Sequence, residues 1–437
     1  MEQKPTGVGK VTAIRMTIGG VVLGVMILLG YNAVGQAPGE SVVRLVSTQL
    51  ALVEEAQMMR EEILADFPGA VEFFPTNEGA LESLISTPLG EPYGLVGGTH
   101  GLFISMVQKD LLQPLPNVEG LNRVSPSMRS LGRLGTSQQY YTPWMQATYL
   151  MVANRKALPY LPEGADLNRL TYDELVAWGQ NMAKAQGRSM LGFPVGNRGL
   201  MHRFLQGYAY PSYTGGMITR MNTPEAHQMW GMLQELWEVV HPASIEYSNM
   251  SVPLLADEVW VAWDHTVRLK PALEERPQDF VAFPAPAGPA GRGYYLVVAG
   301  LAIPKGAPQQ ARSTHLIEYL LQESTQLQTL MSVGFFPVLE GVDFSAASPA
   351  IELLAKAVST QSSTTDALPA VLPVGLGDSG ADFNTVFMLG FSQIVIRGRS
   401  SEQVVPLMVQ QIQKVIEATG APCWAPDPIS QNVCRVQ

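Results

Sequence analysis

Cysteine is almost missing from this chain of 437 residues, with only Cys423 and Cys434 present. Two thiols cannot complete a structural zinc site. Charge is also sparse, 15% of residues against a usual level of about 25%. Basic side chains number 28 against 38 acidic ones, a net charge of -10, which repels phosphate backbones, so no nucleic-acid partner is expected. The six histidines, His100, His202, His227, His241, His265 and His315, never pair as HxxxH or HExxH, which disfavours a zinc hydrolase. Gly7-Val8-Gly9-Lys10 is too short for a phosphate-binding loop, and no other glycine run precedes Lys-Ser or Lys-Thr, so the chain is not expected to hydrolyse ATP. Repeats of 20 to 50 residues are lacking, which removes solenoids and propellers. Gly377-Asp378-Ser379-Gly380 imitates a serine-protease nucleophile motif, but the β-barrel that would supply its histidine and aspartate has no counterpart among these helical segments. A glycine-rich turn accounts for it. No catalytic residue, metal or cofactor is therefore expected.

What the chain does have is apolar residue: 46% of the sequence, punctuated by 41 Gly and 32 Pro. Such a composition folds, and through many short elements. Lys4, Lys10 and Arg15 against Glu2 leave the first 35 residues at +2 and the remainder at -12. The uncharged run Ile18 to Gly30 and the small residues Ala33 and Gly35 follow this basic head. Residues 1–35 thus read as a secretory signal peptide or a retained N-terminal membrane anchor. With no cysteine nearby, a lipoprotein anchor is excluded. Either alternative places the bulk of the chain outside the cytoplasm. Cys423 and Cys434 then form a disulfide across a short proline-rich loop, or stand as two separate thiols.

From residue 41 a strand at Ser41–Val46 is followed by Leu52, Ala56, Met59, Ile63 and Phe67 at helical spacing and by a strand at Ala70–Phe74. This β-α-β order predicts an α/β fold with a largely parallel sheet. Thr171-x-x-Glu174 forms a capping box, and Thr223-Pro224 opens a second helix. Further helices are expected at 311–331 and 400–419, and strands at 190–195, 259–263 and 295–303. Ser359–Thr365 reads as a surface loop. The Pro/Gly stretch Phe283–Gly293 marks a chain crossing between two lobes.

Three aromatic and polar clusters read as loops or strand ends: Tyr140–Gln146, Gly207–Gly216 and Trp260–Asp264. Aromatic faces cover the C–H face of a sugar while Asp, Gln, Thr and His bond its hydroxyls, so the combination suits a neutral polyol. Trp178, Trp230 and Trp237 lie in amphipathic helices and belong to the core. Trp263 stands out because Asp264 follows it at a strand end, where α/β sheets form ligand crevices; as a ligand-facing ring it would be dispensable for folding.

In the order of these segments the chain resembles the family 1 extracellular solute-binding proteins of ABC importers, the maltose-binding-like group. The likeness runs from about residue 41 to 420 and is strongest from Thr223 to Val342, through FPAPAGPAGRGYYLVVAGLAIPKGAP, ARSTHLIEYLLQESTQLQTLMSVGFFPVL and IRGRSSEQVV. The resemblance implies a two-lobed periplasmic-binding-protein fold with hinge crossings and an interlobe ligand cleft. Lobe one would hold 41–143 and a return segment 281–312; lobe two would hold 144–280, with 313–437 mainly lobe two and a C-terminal tail. It also implies a carbohydrate ligand, an oligosaccharide by expectation, and permease subunits driven by a separate ATPase. Ligand contacts carried over by position are Thr48 and Gln49 after the first strand, Thr99 and His100 in a following loop, and Tyr141, Trp144 and Gln146 at the first crossing. Tyr208, Tyr213, Trp263 and Asp264 lie in lobe two, and Gly300 and Phe335 nearer the cleft floor. Gly98-Thr99-His100-Gly101 departs from the family by lacking an acidic residue. A membrane-tethered sensor or interaction protein on the same fold is the alternative, and membrane contact would run through the N-terminal segment if it stays uncleaved.

Overall fold

The computed structural model describes residues 42–437 except Leu89 and Gln431; the segment 1–35 read as signal or anchor lies outside them. Two sheets organise these residues. The first contains β1 (Val43–Ser47), β2 (Val71–Pro75), β3 (Leu95–Thr99) and β4 (Tyr141–Ala147). The second contains β5 (Tyr149–Asn154), β6 (Leu191–Gly192), β7 (Val261–His265) and β8 (Phe280–Phe283). The long β9 (Arg292–Ala302) and β10 (Ala367–Val371) belong to the first. Its strand order is β10-β9-β3-β1-β2, with β4 also on β9, and the second runs β6-β7-β5-β8. β1 is parallel to β2 and β3, whereas β9 is antiparallel to β3 and β4. In the second sheet only β6 and β7 run parallel. The largely parallel sheet expected from the opening β-α-β unit is therefore mixed, because the chain re-enters the first sheet from the second through β9.

That exchange happens twice in a few residues. Thr148 alone separates β4 from β5, and 284–291 carry the chain from β8 back to β9, as the Pro/Gly stretch suggested. β5 is buried on both faces. Its Leu150 and Val152 enter one apolar cluster with residues of the helices Thr266–Glu275 and Pro349–Ser363, while Tyr149, Met151 and Ala153 enter the larger one. A strand covered on both sides reads as a continuous apolar run rather than an alternation.

Several sequence expectations change for identifiable reasons. The cluster 207–216 is helical rather than a loop: Met201–Phe204, Leu205–Ala209 and Tyr210–Thr214 follow without interruption, with a wider π turn in the middle. Phe204 to Thr214 are all buried, so this helix has no polar face and no amphipathic period to detect. It lies tightly on β9. A Cβ on Gly207 would come 2.2 Å from Tyr295 Cδ2, and one on Gly293 would come 2.6 Å from the Tyr208 carbonyl oxygen. The single helix expected over 311–331 is two, Gln310–Leu320 and Glu323–Val333. Gln326 Nε2 compensates the break by donating to Leu320 O and Trp144 O, both at 2.7 Å. Tyr140–Gln146 is strand from Tyr141, and 359–363 is the last turn of the helix Pro349–Ser363, where Thr360 and Ser363 hydroxyls return to carbonyls four residues back. The capping box at Thr171 and Glu174 forms as the sequence indicates, and the helix expected over 400–419 is Ser401–Thr419, with Ser400 as its cap. No helix among the described residues is long and apolar enough to cross a membrane.

The C-terminal tail is held by chemistry rather than by regular structure. Cys423 and Cys434 are disulfide-bonded, with Cα atoms 4.7 Å apart, and closing a loop of this size adds on the order of 3 kcal/mol on chain-entropy grounds. Asp427, buried, accepts hydrogen bonds from the backbone N–H groups of Met217, Ile218 and Thr219 and from the Thr219 hydroxyl. This turn follows directly on the buried helix. Replacing Asp427 by Ala leaves those donors buried without an acceptor and is expected to cost on the order of 3 kcal/mol. Urea unfolding of Asp427→Ala measures it, and a loss under about 1 kcal/mol would show the tail to be a passive covering.

Candidate functional site

Ligands of α/β sheets bind beyond the carboxyl ends of the strands, where loops and helix starts converge. In the first sheet these ends carry small uncharged groups. Ser47 closes β1; its Oγ accepts Gln49 N at 3.0 Å, Thr48 N donates to Gly97 O at 3.1 Å, and Gln49 Nε2 donates to Thr48 Oγ1 at 3.2 Å. Thr48 and Gln49 are thus fixed half-buried beside Thr99. Thr99 and His100 do not form a loop, since Thr99 ends β3 and His100 begins the helix His100–Gln108. His100 is buried, with Nδ1 2.8 Å from the Tyr141 hydroxyl. Burial pushes its pKa down to about 4, and Nε2 has no hydrogen-bond partner among the described residues.

The other lobe-one candidates serve the scaffold. Tyr141 is stacked on Phe103 at 4.7 Å and lies over Gly300, where a Cβ would come 2.2 Å from its ring. Trp144 is fully buried. Gln146 Nε2 donates to Pro337 O at 2.7 Å, and its backbone pairs with Phe336, leaving Phe335 half-buried next in sequence.

Around the first crossing the side chains form a closed hydrogen-bond set. Tyr208 OH donates to Tyr149 O at 2.8 Å and accepts from Tyr149 N at 3.2 Å. Thr148 Oγ1 donates to Tyr295 O at 2.6 Å and accepts from Gln361 Nε2 at 3.1 Å, while Gln361 Oε1 accepts from Ala285 N at 3.0 Å. The two crossings are joined through these three side chains. Tyr208 is accordingly a joint residue, buried with its hydroxyl fully used.

Trp263 also lies inside. Its ring stacks on Tyr149 at 5.0 Å and 7° and is flanked by Phe204 at 5.1 Å and Tyr208 at 5.2 Å. Asp264 is buried, its carboxylate accepting Met250 N at 2.9 Å and His265 N at 2.7 Å. Burial raises its pKa to about 7, against the two N–H bonds and the Arg268 charge. Tyr213 stands apart, packed on Tyr172 beside Ala287–Pro289. No sequence pattern announces the ring of groups around Tyr149. His265 meets its ring at 4.9 Å and Tyr295 at 5.9 Å, and Arg203 lies over Tyr295 at 5.0 Å and donates to its hydroxyl. Gln206 Nε2 donates to Asn384 Oδ1 at 2.9 Å. These residues flank the quoted clusters by a few positions, but no spacing rule marks them.

Two α/β lobes joined by strands that pass from one sheet into the other, with polar groups at the strand carboxyl ends, define a two-lobed solute receptor. The chain belongs to the bacterial extracellular solute-binding protein family, which matches residues 91–355. That family comprises binding proteins for transport, not enzymes, and works outside the cytoplasm. Among solved structures, the fold is similar to the sugar-binding protein MalE from Xanthomonas citri, at 16% identity and a TM-score of 0.68 over 86% of this chain and 98% of that one. RafE from Streptococcus pneumoniae is 15% identical, with a TM-score of 0.65 over 87% and 99%. UgpB from Mycobacterium tuberculosis, solved with glycerophosphocholine, is 16% identical, with a TM-score of 0.59 over 87% and 99%. Among curated proteins none matches the chain in sequence.

Two predictions follow from the burial of these groups. Trp263→Ala removes a fully buried indole from an aromatic stack and is expected to destabilise by about 3–5 kcal/mol, seen as a large drop in melting temperature; a retained melting temperature would return Trp263 to a ligand-facing role. His100, His202 and His265 are all held down to about 4, burial being the main cause. Lowered histidine pKa values give stability that is complete above the ordinary value near 6.5 and is lost as pH falls towards 4. Asp264, raised, acts in the opposite sense over the same window and offsets about one of the three. The melting temperature is therefore expected to fall from pH 6.5 to pH 4, and His100→Gln to flatten that fall; a profile that rises on acidification contradicts the assignment.

Proposed function

We propose that this protein is the extracytoplasmic receptor of an ABC importer, closing its lobes on a carbohydrate or polyol and presenting it to permease subunits served by a separate ATPase. The observation that carries the reading is a pairing of two walls. Thr48 and Gln49 offer uncharged hydrogen-bonding groups at the carboxyl end of β1 in the first sheet, and the half-buried His265 ring, edge-on to the buried Tyr149, lies at the carboxyl end of β7 in the second. Hydroxyls and apolar C–H faces need this combination of directional donors and acceptors with aromatic surface. A ligand that touches both lobes favours the closed arrangement by its differential affinity for it. The Cys423–Cys434 disulfide suits an oxidising compartment. The first 35 residues serve export or anchoring on this reading.

A thermal-shift series of the purified protein against mono- and oligosaccharides tests it. A true ligand at about 100 times its dissociation constant stabilises by about 2.7 kcal/mol, and Gln49→Ala is expected to weaken that shift without lowering the ligand-free melting temperature by more than a few degrees. Stabilisation by a peptide or a polyamine, with none by any sugar or polyol, would remove the carbohydrate reading.

A further inference from the structure

The second lobe concentrates positive charge where an acidic chain has no structural need for it. Arg203 stands in the first turn of the helix that follows β6, and His265 ends β7 with Arg268 one turn further on. Each arginine is held in place through Nη1 alone. Arg203 Nη1 donates to the Tyr295 hydroxyl and, at 3.4 Å, to Gln206 Oε1; Arg268 Nη1 donates to Arg198 O at 3.1 Å and Ser248 O at 2.7 Å. Neither forms an ion pair among the described residues. The carboxylate nearest in sequence to the cluster, Asp264, has an oxygen on each of two backbone N–H groups and lies beyond ion-pair distance of Arg268.

The Nε and Nη2 atoms of both guanidiniums consequently remain without hydrogen bonds among the described residues, and neither Nε is sealed from solvent. That edge is the planar fork that grips a carboxylate or phosphate with two parallel bonds. Arg203 reaches the Tyr149 ring through Tyr295, and Arg268 bonds the Arg198 carbonyl just ahead of the helix that carries His202 and Arg203; burial raises the Tyr149 pKa and lowers that of half-buried His202, and the charges of Arg203 and Arg268 act on both groups. His265 Nδ1 accepts from Val267 N at 3.2 Å, and its ring stands edge-on to Tyr149. Two cations and two neutral imidazoles thus belong to the segments that follow β6 and β7 at the carboxyl end of this parallel pair, a position where α/β sheets take their ligands.

We propose that Arg203 and Arg268, with His202 and His265 beside them, form an anion site in the second lobe that takes the phosphate or carboxylate group of a charged sugar or polyol. The proposal rests on the receptor reading above and narrows it from neutral sugars to anionic ones. The net charge of the chain does not oppose it, because a bound anion meets the local field at the cluster, and exposed charges more than about 10 Å away are screened at moderate salt.

Titration calorimetry with glucose, glucose 6-phosphate, glucuronate, glycerol, sn-glycerol 3-phosphate and inorganic phosphate separates the sources. The charged compounds are expected to bind at least about tenfold more tightly than their neutral counterparts, equivalent to about 1.4 kcal/mol, and to weaken as sodium chloride is raised. Arg268→Gln and Arg203→Gln are each expected to lower that affinity about tenfold or more, and Arg268→Lys to retain part of it. Melting temperatures report whether the variants fold, and the salt dependence of the wild type decides the matter if they do not. Equal affinity for neutral and charged partners, or salt-independent binding, overturns the anion site and leaves the carbohydrate receptor standing. Binding of inorganic phosphate with no sugar or polyol bound supports the anion site and removes the carbohydrate reading. Failure of every anion to bind overturns the proposal.

Discussion

The architecture depends on one constraint: the chain passes between the sheets at Thr148 and again at 284–291, and the backbone there must stay dry and satisfied. Thr148 interrupts β4 and β5, and a single residue cannot close its own hydrogen bonds. Thr266 N closes the Thr148 carbonyl, Tyr208 and Gln361 close the Tyr149 backbone groups, and the Thr148 hydroxyl donates to Tyr295 O. Unpaired backbone polar groups in such a place would cost about as much as lost hydrogen bonds. This explains why a tyrosine from the buried helix and a glutamine from a serine-rich helix end meet at one point. It also explains the close approach of Gly207 and Gly293, since any side chain there would lift the helix from β9 and take Tyr208 away from Thr148.

The same constraint orders the aromatic residues. With Tyr149 held at both backbone groups by Tyr208, its ring becomes the surface on which Trp263, Tyr295 and His265 pack. Residues that a sugar-binding pattern would expose are here used as walls behind the site. On the proposed reading the groups that meet ligand are polar and differ between the lobes, with amide and hydroxyl on the first and guanidinium and imidazole on the second. A receptor divided in this way can recognise a ligand by its two ends, hydroxyls at one and charge at the other, and it needs both lobes to do so.

Much of the architecture was legible before any coordinates. The crossing at 283–293 and the helices opening at Thr171 and Thr223 follow from local signals, proline and glycine punctuation, capping side chains and apolar period, whereas the two-lobed order is what the resemblance to solute-binding proteins implies. The Gly207–Gly216 segment was not legible, because a helix buried on every side carries no amphipathic pattern. The helix break at Leu321–Gln322 was hidden for a different reason, as its compensation comes from Gln326 and serves Trp144 on another strand.

The site divides along the same line. Asp264 could be picked out because a polar residue at a strand end is a sequence pattern, whereas Thr48 and Gln49 came by position from the resemblance to solute-binding proteins. Whether a tryptophan or tyrosine is exposed or buried is no such pattern; Trp263 and Tyr208 are buried by residues far away in the chain. The free edges of Arg203 and Arg268 are further still from sequence, since an arginine shows a vacant fork only when every carboxylate that could fill it has been placed elsewhere. Composition and order therefore determined the class, the two lobes and the address outside the cytoplasm. Tertiary structure alone decided which rings became walls and which charges stayed unpaired, because burial and pairing are relations between residues far apart in the chain.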